Sequence, residues 1–258
     1  MTIAGDLALA LDPVLLAERA GLRPDPWQVD ILRSTMPRLL VNVSRQAGKT
    51  TMAAVLAVHT AVYVPGSLSL LVSPGERQSG EVLRAAMKVY RALGRPVPPH
   101  AETLLRLELA NGSRILALPG REGTVRGLSA PSLVVVDEAS RVDDELMIAL
   151  TPMLATAPDA RLLTLSTPAG RRGWWWRAWQ DGGGDWEQTE VRATDIPRIR
   201  PEFLALERRT MPATRFAQEY LCEFNEADAA MFAADAVSAA IDPERAPLAL
   251  EVFRRWTP

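Results

Sequence analysis

The chain has 258 residues, 48% of them hydrophobic, and a formal net charge of −2, enough apolar side chain for a packed core and no whole-molecule basic field of the kind that announces a nucleic-acid binder. Its single cysteine, Cys222, excludes an internal disulfide, and its two histidines, His59 and His100, supply no metal-ligand cluster. The start of the chain, Met1 to Ala10, lacks the basic region of a signal peptide, and no uncharged apolar run approaches the roughly 20 residues that span a bilayer, so a soluble, cytosolic protein with no membrane partner is expected.

In chain order, residues 1–20 read as one short Ala/Leu-rich helix. Arg23-Pro24-Asp25-Pro26 ends it and leads into a second helix from about Trp27 to Thr35. Arg38 to Val43 (RLLVNV) is a short apolar run of strand type, followed at once by a glycine-containing loop and a helix from about Lys49 to Tyr63. Ser67 to Val72 is a second buried strand, Glu81 to Leu93 an amphipathic helix, and Leu105 to Leu118 a hairpin turning at Asn111-Gly112. Val134 to Val136 makes a further strand, Arg141 to Leu154 a helix, Leu162 to Ser166 a strand, and Gly173 to Trp179 the start of a helix. Gly182-Gly183-Gly184 marks a turn before a strand at Trp186 to Val191, and Pro201 to Phe224 is mainly helical. Alternating strands and helices predict an α/β fold with a mostly parallel central sheet flanked by helices. Residues 1–225 are expected to form one domain, with a helical extension over 1–35 and a helical closing segment over 201–224; residues 226–258 read as a tail or linker.

Val43 to Thr51 (VSRQAGKTT) fits the phosphate-loop pattern GxxxxGK[ST] only in its second half, because Val43 stands where the first glycine belongs. Backbone N–H groups from Ser44, Arg45, Gln46, Ala47, Gly48 and Lys49 can still wrap the phosphates of ATP at a helix N-terminus, with Thr50 placed for Mg²⁺ and Thr51 beside it. An ordinary strand-to-helix turn could also contain Gly48-Lys49-Thr50. Of the 29 lysines and arginines only Lys49 and Lys88 are lysines, so Lys49 stands out as a place where a compact ammonium is wanted. Asp137 and Glu138 follow the apolar Val134 to Val136 run, at the strand end where open α/β sheets hold ligands. There Asp137 would orient Mg²⁺ and Glu138 would polarise the attacking water; helix capping is the alternative.

The loop with Arg45 and Gln46 inside it resembles the P-loop of the large terminase subunit, the ATPase that packages DNA into tailed-phage heads. Further pieces match in order. Pro26-Trp27-Gln28 is similar to the upstream motif whose glutamine contacts adenine, and Val72-Ser73-Pro74 with Gln78 to the motif after the first crossover helix. Val134 to Ala139 resembles the family's acidic strand end, Leu165-Ser166-Thr167-Pro168-Ala169-Gly170 its coupling motif, and Phe216 to Phe224 the segment that closes its ATPase part. The resemblance covers residues 24–224 and implies a P-loop NTPase fold of the RecA-like (ASCE) type. It further implies ATP and Mg²⁺ as cofactors, Lys49, Glu138 and Arg126 as catalytic residues, Ser166 and Thr167 as a γ-phosphate sensor, and Arg126 as an arginine finger acting in trans. Arg121 and Arg45 compete for that last role.

The same resemblance implies double-stranded DNA, a portal protein, a small terminase subunit and further copies of the chain in a ring, a pentamer, as partners in the host cell cytoplasm. It also implies a C-terminal nuclease, but no acidic triad follows Phe224 on strand-like segments, so DNA cleavage by this chain is not expected. Two other readings share some of the motifs. A superfamily 2 helicase needs a second RecA-like domain, for which too little chain follows Phe224, and a nucleotide-binding assembly protein would hydrolyse little. The run Arg171 to Arg177, with Trp174, Trp175 and Trp176, mixes cations and aromatics as single-strand-binding surfaces do; three consecutive tryptophans point in three directions on a helix, so packing is favoured.

Overall fold

The computed structural model describes residues 3–225 except 126 and 158; the expected tail over 226–258 and Arg126 therefore lie outside the described residues. Eight strands form one sheet: β1 (Arg38–Val43), β2 (Leu68–Ser73), β3 (Pro99–Glu102), β4 (Arg106–Leu109), β5 (Arg114–Pro119), β6 (Leu133–Asp137), β7 (Arg161–Ser166) and β8 (Glu187–Val191). Their spatial order is β3-β4-β5-β2-β6-β7-β1-β8. From β5 to β8 all neighbours pair in parallel, whereas β4 pairs antiparallel with both β5 and β3. The mostly parallel sheet expected from the alternation of elements is thus present, with an antiparallel edge added.

Strand alternation decides which helices cover which face. Leu39, Val41, Val43, Leu71, Val135, Leu163 and Leu165 pack on one side against α2 (Pro13–Arg19), α3 (Pro26–Arg33), α4 (Lys49–Tyr63) and α5 (Glu76–Ala92). Leu40, Leu70, Val72, Val134, Val136 and Leu162 pack on the other against α7 (Asp144–Ala155) and α8 (Gly173–Asp181). Central strands buried on both faces read as continuous apolar runs, which is why RLLVNV and LVVV were legible without alternation. Each such fully buried leucine or valine contributes about 1.5–3 kcal/mol.

Several boundaries differ from the sequence expectation, each for a local reason. The first helix is two helices, α1 (Ile3–Leu11) and α2, because Asp12 caps the second, its carboxylate accepting from the Val14 N–H at 2.9 Å, and Pro13 starts it. Helix α5 begins at Glu76 instead of Glu81, since the Gln78 side chain accepts from the Gly75 N–H at 3.1 Å and closes the first turn. The helix expected from Arg141 begins at Asp144, after a 3₁₀ turn over Ala139–Arg141. The closing segment divides at Pro212 into α9 (Pro201–Thr210) and α10 (Ala213–Leu221). Strand β3 was missed: it is a four-residue edge strand that begins on a proline. Among the described residues no helix is long and apolar enough to cross a membrane.

Candidate nucleotide site at the strand ends

Because β1, β6 and β7 run parallel, their C-terminal ends open on one edge of the sheet, and each carries one of the sequence motifs. The chain leaves β1 at Ser44, which is fully buried and donates its N–H to Val191 O at 2.9 Å; Arg45 then donates its N–H to Glu219 O at 3.0 Å. Those two N–H groups are committed to β8 and α10. Contrary to the expectation that the cradle starts at Ser44, these two donors already have backbone partners, and the part of the loop beyond them runs from Gln46 to Thr50. Gln46 (φ 60°) and Gly48 (φ 90°) are both left-handed, which bends the backbone around that run before α4 starts at Lys49.

Lys49 is buried and its Nζ stands 3.9 Å from Glu138 Oε1. The Thr50 hydroxyl lies on the Asp137 side of the loop, close enough to favour its ionised form, and Asp137 is only 7% exposed. Burial, and secondarily the charge of Glu138, push the Asp137 carboxyl up to about 6, against the opposing pull of Lys49, the Glu138 N–H and Thr50. Glu138 itself is left-handed (φ 54°), a conformation that costs a non-glycine residue roughly 1–3 kcal/mol and aims its side chain out of the strand end. Arg45 through Thr50, together with Glu138, line a cavity of about 300 Å³.

The coupling residues Ser166 and Thr167, both buried, lie beside the acidic strand end. Ser140 binds Ser166 (Oγ–Oγ 2.7 Å) and donates to Thr167 O at 2.7 Å. Arg141 donates from Nη1 to Glu138 Oε2 at 2.6 Å and to Thr167 Oγ1 at 3.3 Å, so one guanidinium bridges the two motifs. Gln28, 7% exposed, reaches the loop from the other side: its Nε2 donates to Ala47 O and Gly48 O, each at 3.3 Å, while its Oε1 accepts from the Asp25 N–H at 2.9 Å. Gln28, Thr51 and Arg198 border a second cavity of about 380 Å³, which meets the first at Gly48.

Not every expected residue converges here. The Arg45 side chain turns to α10, its Nε 3.3 Å from the buried Glu219 carboxylate. Arg121 is exposed just beyond β5, beside the short helix α6 (Glu122–Val125). Arg126 lies outside the described residues. Trp174 and Trp175 are core, Trp174 donating its indole N–H to Val142 O at 3.1 Å, while Trp176 packs on Phe224. Arg141 and Arg198 were missed by the sequence reading. Arg141 had a signal, its i,i+3 spacing from Glu138; Arg198 had none.

A glycine-lysine-threonine loop between strand and helix, with a carboxylate pair at the end of a strand separated from it by one other, defines an α/β domain of the P-loop fold. No protein-family model matches the chain. It is 26% identical over 243 residues to the terminase large subunit of Thermus virus P23-45, a match taking in 80% of this chain and 50% of that protein. The chain thus spans about half the length of the curated relatives it matches. Among solved structures, the large terminase ATPase domain of Thermus phage P74-26 superposes with a TM-score of 0.71 at 26% identity, covering 81% of this chain and 96% of that one. A large terminase of the thermophilic bacteriophage D6E, solved in complex with ADP, shares the fold at 11% identity, with a TM-score of 0.60 over 74% of this chain and 49% of that one. Over most of its length, then, the chain is similar to the ATPase domain of phage terminase large subunits, as the order of its motifs implied.

Proposed function

We propose that this chain is the ATP-hydrolysing motor domain of a phage terminase large subunit, coupling Mg–ATP hydrolysis to translocation of double-stranded DNA into procapsids. The observation that carries the reading is the meeting of Lys49, Thr50, Asp137 and Glu138 at the ends of β1 and β6, with Lys49, Thr50 and Glu138 lining one cavity. Lys49 and the Gln46-to-Thr50 N–H groups would hold the β- and γ-phosphates, and Glu138 would accept a proton from the attacking water. The base would occupy the cavity bordered by Gln28 and Thr51, where the Gln28 amide would be the polar group nearest to adenine. Ser166 and Thr167 would register loss of the γ-phosphate, and Arg126, or Arg121 or Arg45 in its place, would supply the finger.

A desolvated carboxylate with a threonine hydroxyl near it is a pair of hard oxygen donors, and it fits Mg²⁺. Asp137 and Thr50 would hold the ion, which when bound neutralises charge developing on the phosphates. The remaining parts of the reading are the layout of one domain over 1–225 followed by a linker, and assembly as a ring, a pentamer, on a portal protein with a small terminase subunit in the host cytoplasm. The likeness to terminase large subunits supports these.

The 2.6 Å pairing of Glu138 with Arg141 favours one second reading, a nucleotide-binding assembly protein that hydrolyses little, because it occupies the carboxylate oxygen with a partner other than an attacking water. Comparing ATP turnover of the wild type and Glu138→Gln across a range of protein concentrations separates the two. A motor shows concentration-dependent turnover that the variant lacks; equal rates at every concentration would sink the motor reading.

A further inference from the structure

We infer that Arg198 is a positioning residue for the phosphate loop, holding the Ala47 carbonyl from behind so that the loop's N–H groups face the phosphates; the inference rests on the nucleotide reading above.

A loop can turn consecutive N–H groups inward only if its carbonyls turn outward, and outward carbonyls that are shielded from water need donors of their own. In this protein the donors come from two distant segments. Ala47 O accepts from Arg198 Nη2 at 2.9 Å and from Gln28 Nε2 at 3.3 Å, and the same Gln28 nitrogen reaches Gly48 O at 3.3 Å. Arg198 is 151 residues from Ala47 in sequence and lies in the segment between β8 and α9.

Both donors are themselves fixed by Asp25. Its carboxylate, 8% exposed, takes the fork of Arg198 (Nη2–Oδ2 2.6 Å, Nε–Oδ2 3.2 Å), while its N–H donates to Gln28 Oε1 at 2.9 Å. Asp25, Gln28, Ala47 and Arg198 therefore form a closed ring of hydrogen bonds. The charged Arg198 bond is the shorter of the two to Ala47, as charge assistance predicts.

Gly48 gives an independent sign that the loop is shaped against these side chains. A Cβ there would stand 2.8 Å from Gln28 Nε2 and 3.4 Å from Arg198 Nη2, in a backbone conformation (φ 90°) that already disfavours side chains. Arg198 contacts the back of the loop and acts on the phosphates through Ala47.

The test uses Arg198→Ala and Arg198→Lys in the full chain, measuring Mg²⁺-dependent affinity for ATP and for inorganic tripolyphosphate, with kcat and melting temperature alongside. Arg198→Ala should weaken both ligands by the same factor, about tenfold, the range of one charge-assisted hydrogen bond. Its kcat at saturating nucleotide should fall by less than its affinity, and its melting temperature should drop by several degrees with the melt still cooperative, because the buried Asp25 carboxylate loses its partner. Arg198→Lys should recover part of the affinity, since an ammonium can reach Ala47 O but cannot make the fork to Asp25. Weakening of ATP alone, with tripolyphosphate unchanged, would make Arg198 a base contact and overturn the inference, as would unchanged affinity for both. Wild-type protein that binds neither ligand would overturn the nucleotide reading itself, a result no Arg198 variant can mimic.

Discussion

Lys49 Nζ and Glu138 Oε1 stand 3.9 Å apart at the ends of strands that are not neighbours, since β7 lies between β1 and β6. The pair is mostly shielded from solvent, at 10% and 27% exposure of the two side chains. A γ-phosphate entering the cavity would therefore compete with Glu138 for the ammonium, and Glu138 carries a second partner in Arg141.

That competition separates binding from chemistry. Glu138→Gln should lower turnover by about 10²–10⁴, the usual worth of a positioned general base, while nucleotide affinity holds or rises because a neutral amide no longer competes for Lys49. Lys49→Ala should instead lose nucleotide binding. Equilibrium titration with a fluorescent ATP analogue beside a phosphate-release assay reads both, and a Glu138→Gln protein that fails to bind would contradict the division of roles.

Asp137 makes stability depend on pH. Its folded carboxyl keeps its proton up to about pH 6, whereas an unfolded aspartate gives it up near the ordinary 3.8. Between those values the folded state binds more protons than the unfolded one, so the nucleotide-free protein should lose stability as pH rises through the window, on the order of 3 kcal/mol in total. Asp137→Asn should remove that dependence and raise the melting temperature at pH 7 while abolishing Mg²⁺-dependent turnover. Thermal melts at pH 4.5, 6 and 7.5 check it; a variant less stable than wild type at pH 7.5 would contradict the burial account.

The tryptophan cluster divides by depth. Trp175, 2% exposed, should cost about 3–5 kcal/mol when cut to alanine. Trp176, which is partly buried on Phe224, should cost clearly less. Chemical denaturation of the two variants measures the difference. If Trp175→Ala weakened DNA binding without losing stability, the cluster would be a nucleic-acid surface after all.

For the arginine finger the sequence resemblance is the ground, as Arg126 lies outside the described residues. Arg126→Ala and Lys49→Ala proteins, each inactive alone, should regain some ATPase when mixed if the finger serves a neighbour's site. No recovery at any ratio would place the guanidinium in its own subunit or move the role to Arg121.

What the sequence by itself determined is the part of this protein that is local in the chain. Lys49 and Thr50 follow a buried strand and open a helix within a few residues, and Asp137 and Glu138 end another strand, so spacing and hydrophobic run length were enough to name them. Helix boundaries slipped where a capping side chain decided, as at Asp12 and Gln78.

The tertiary structure decided everything that depends on residues far apart in sequence meeting in space. It placed β7 between the two motif strands, gave the Ser44 and Arg45 N–H groups to Val191 and Glu219, and brought Arg198 under Ala47. An arginine in an irregular segment carries no periodicity and no motif; only the fold, by closing the hydrogen-bond ring through Asp25, distinguishes Arg198 from the many solvated arginines of this chain.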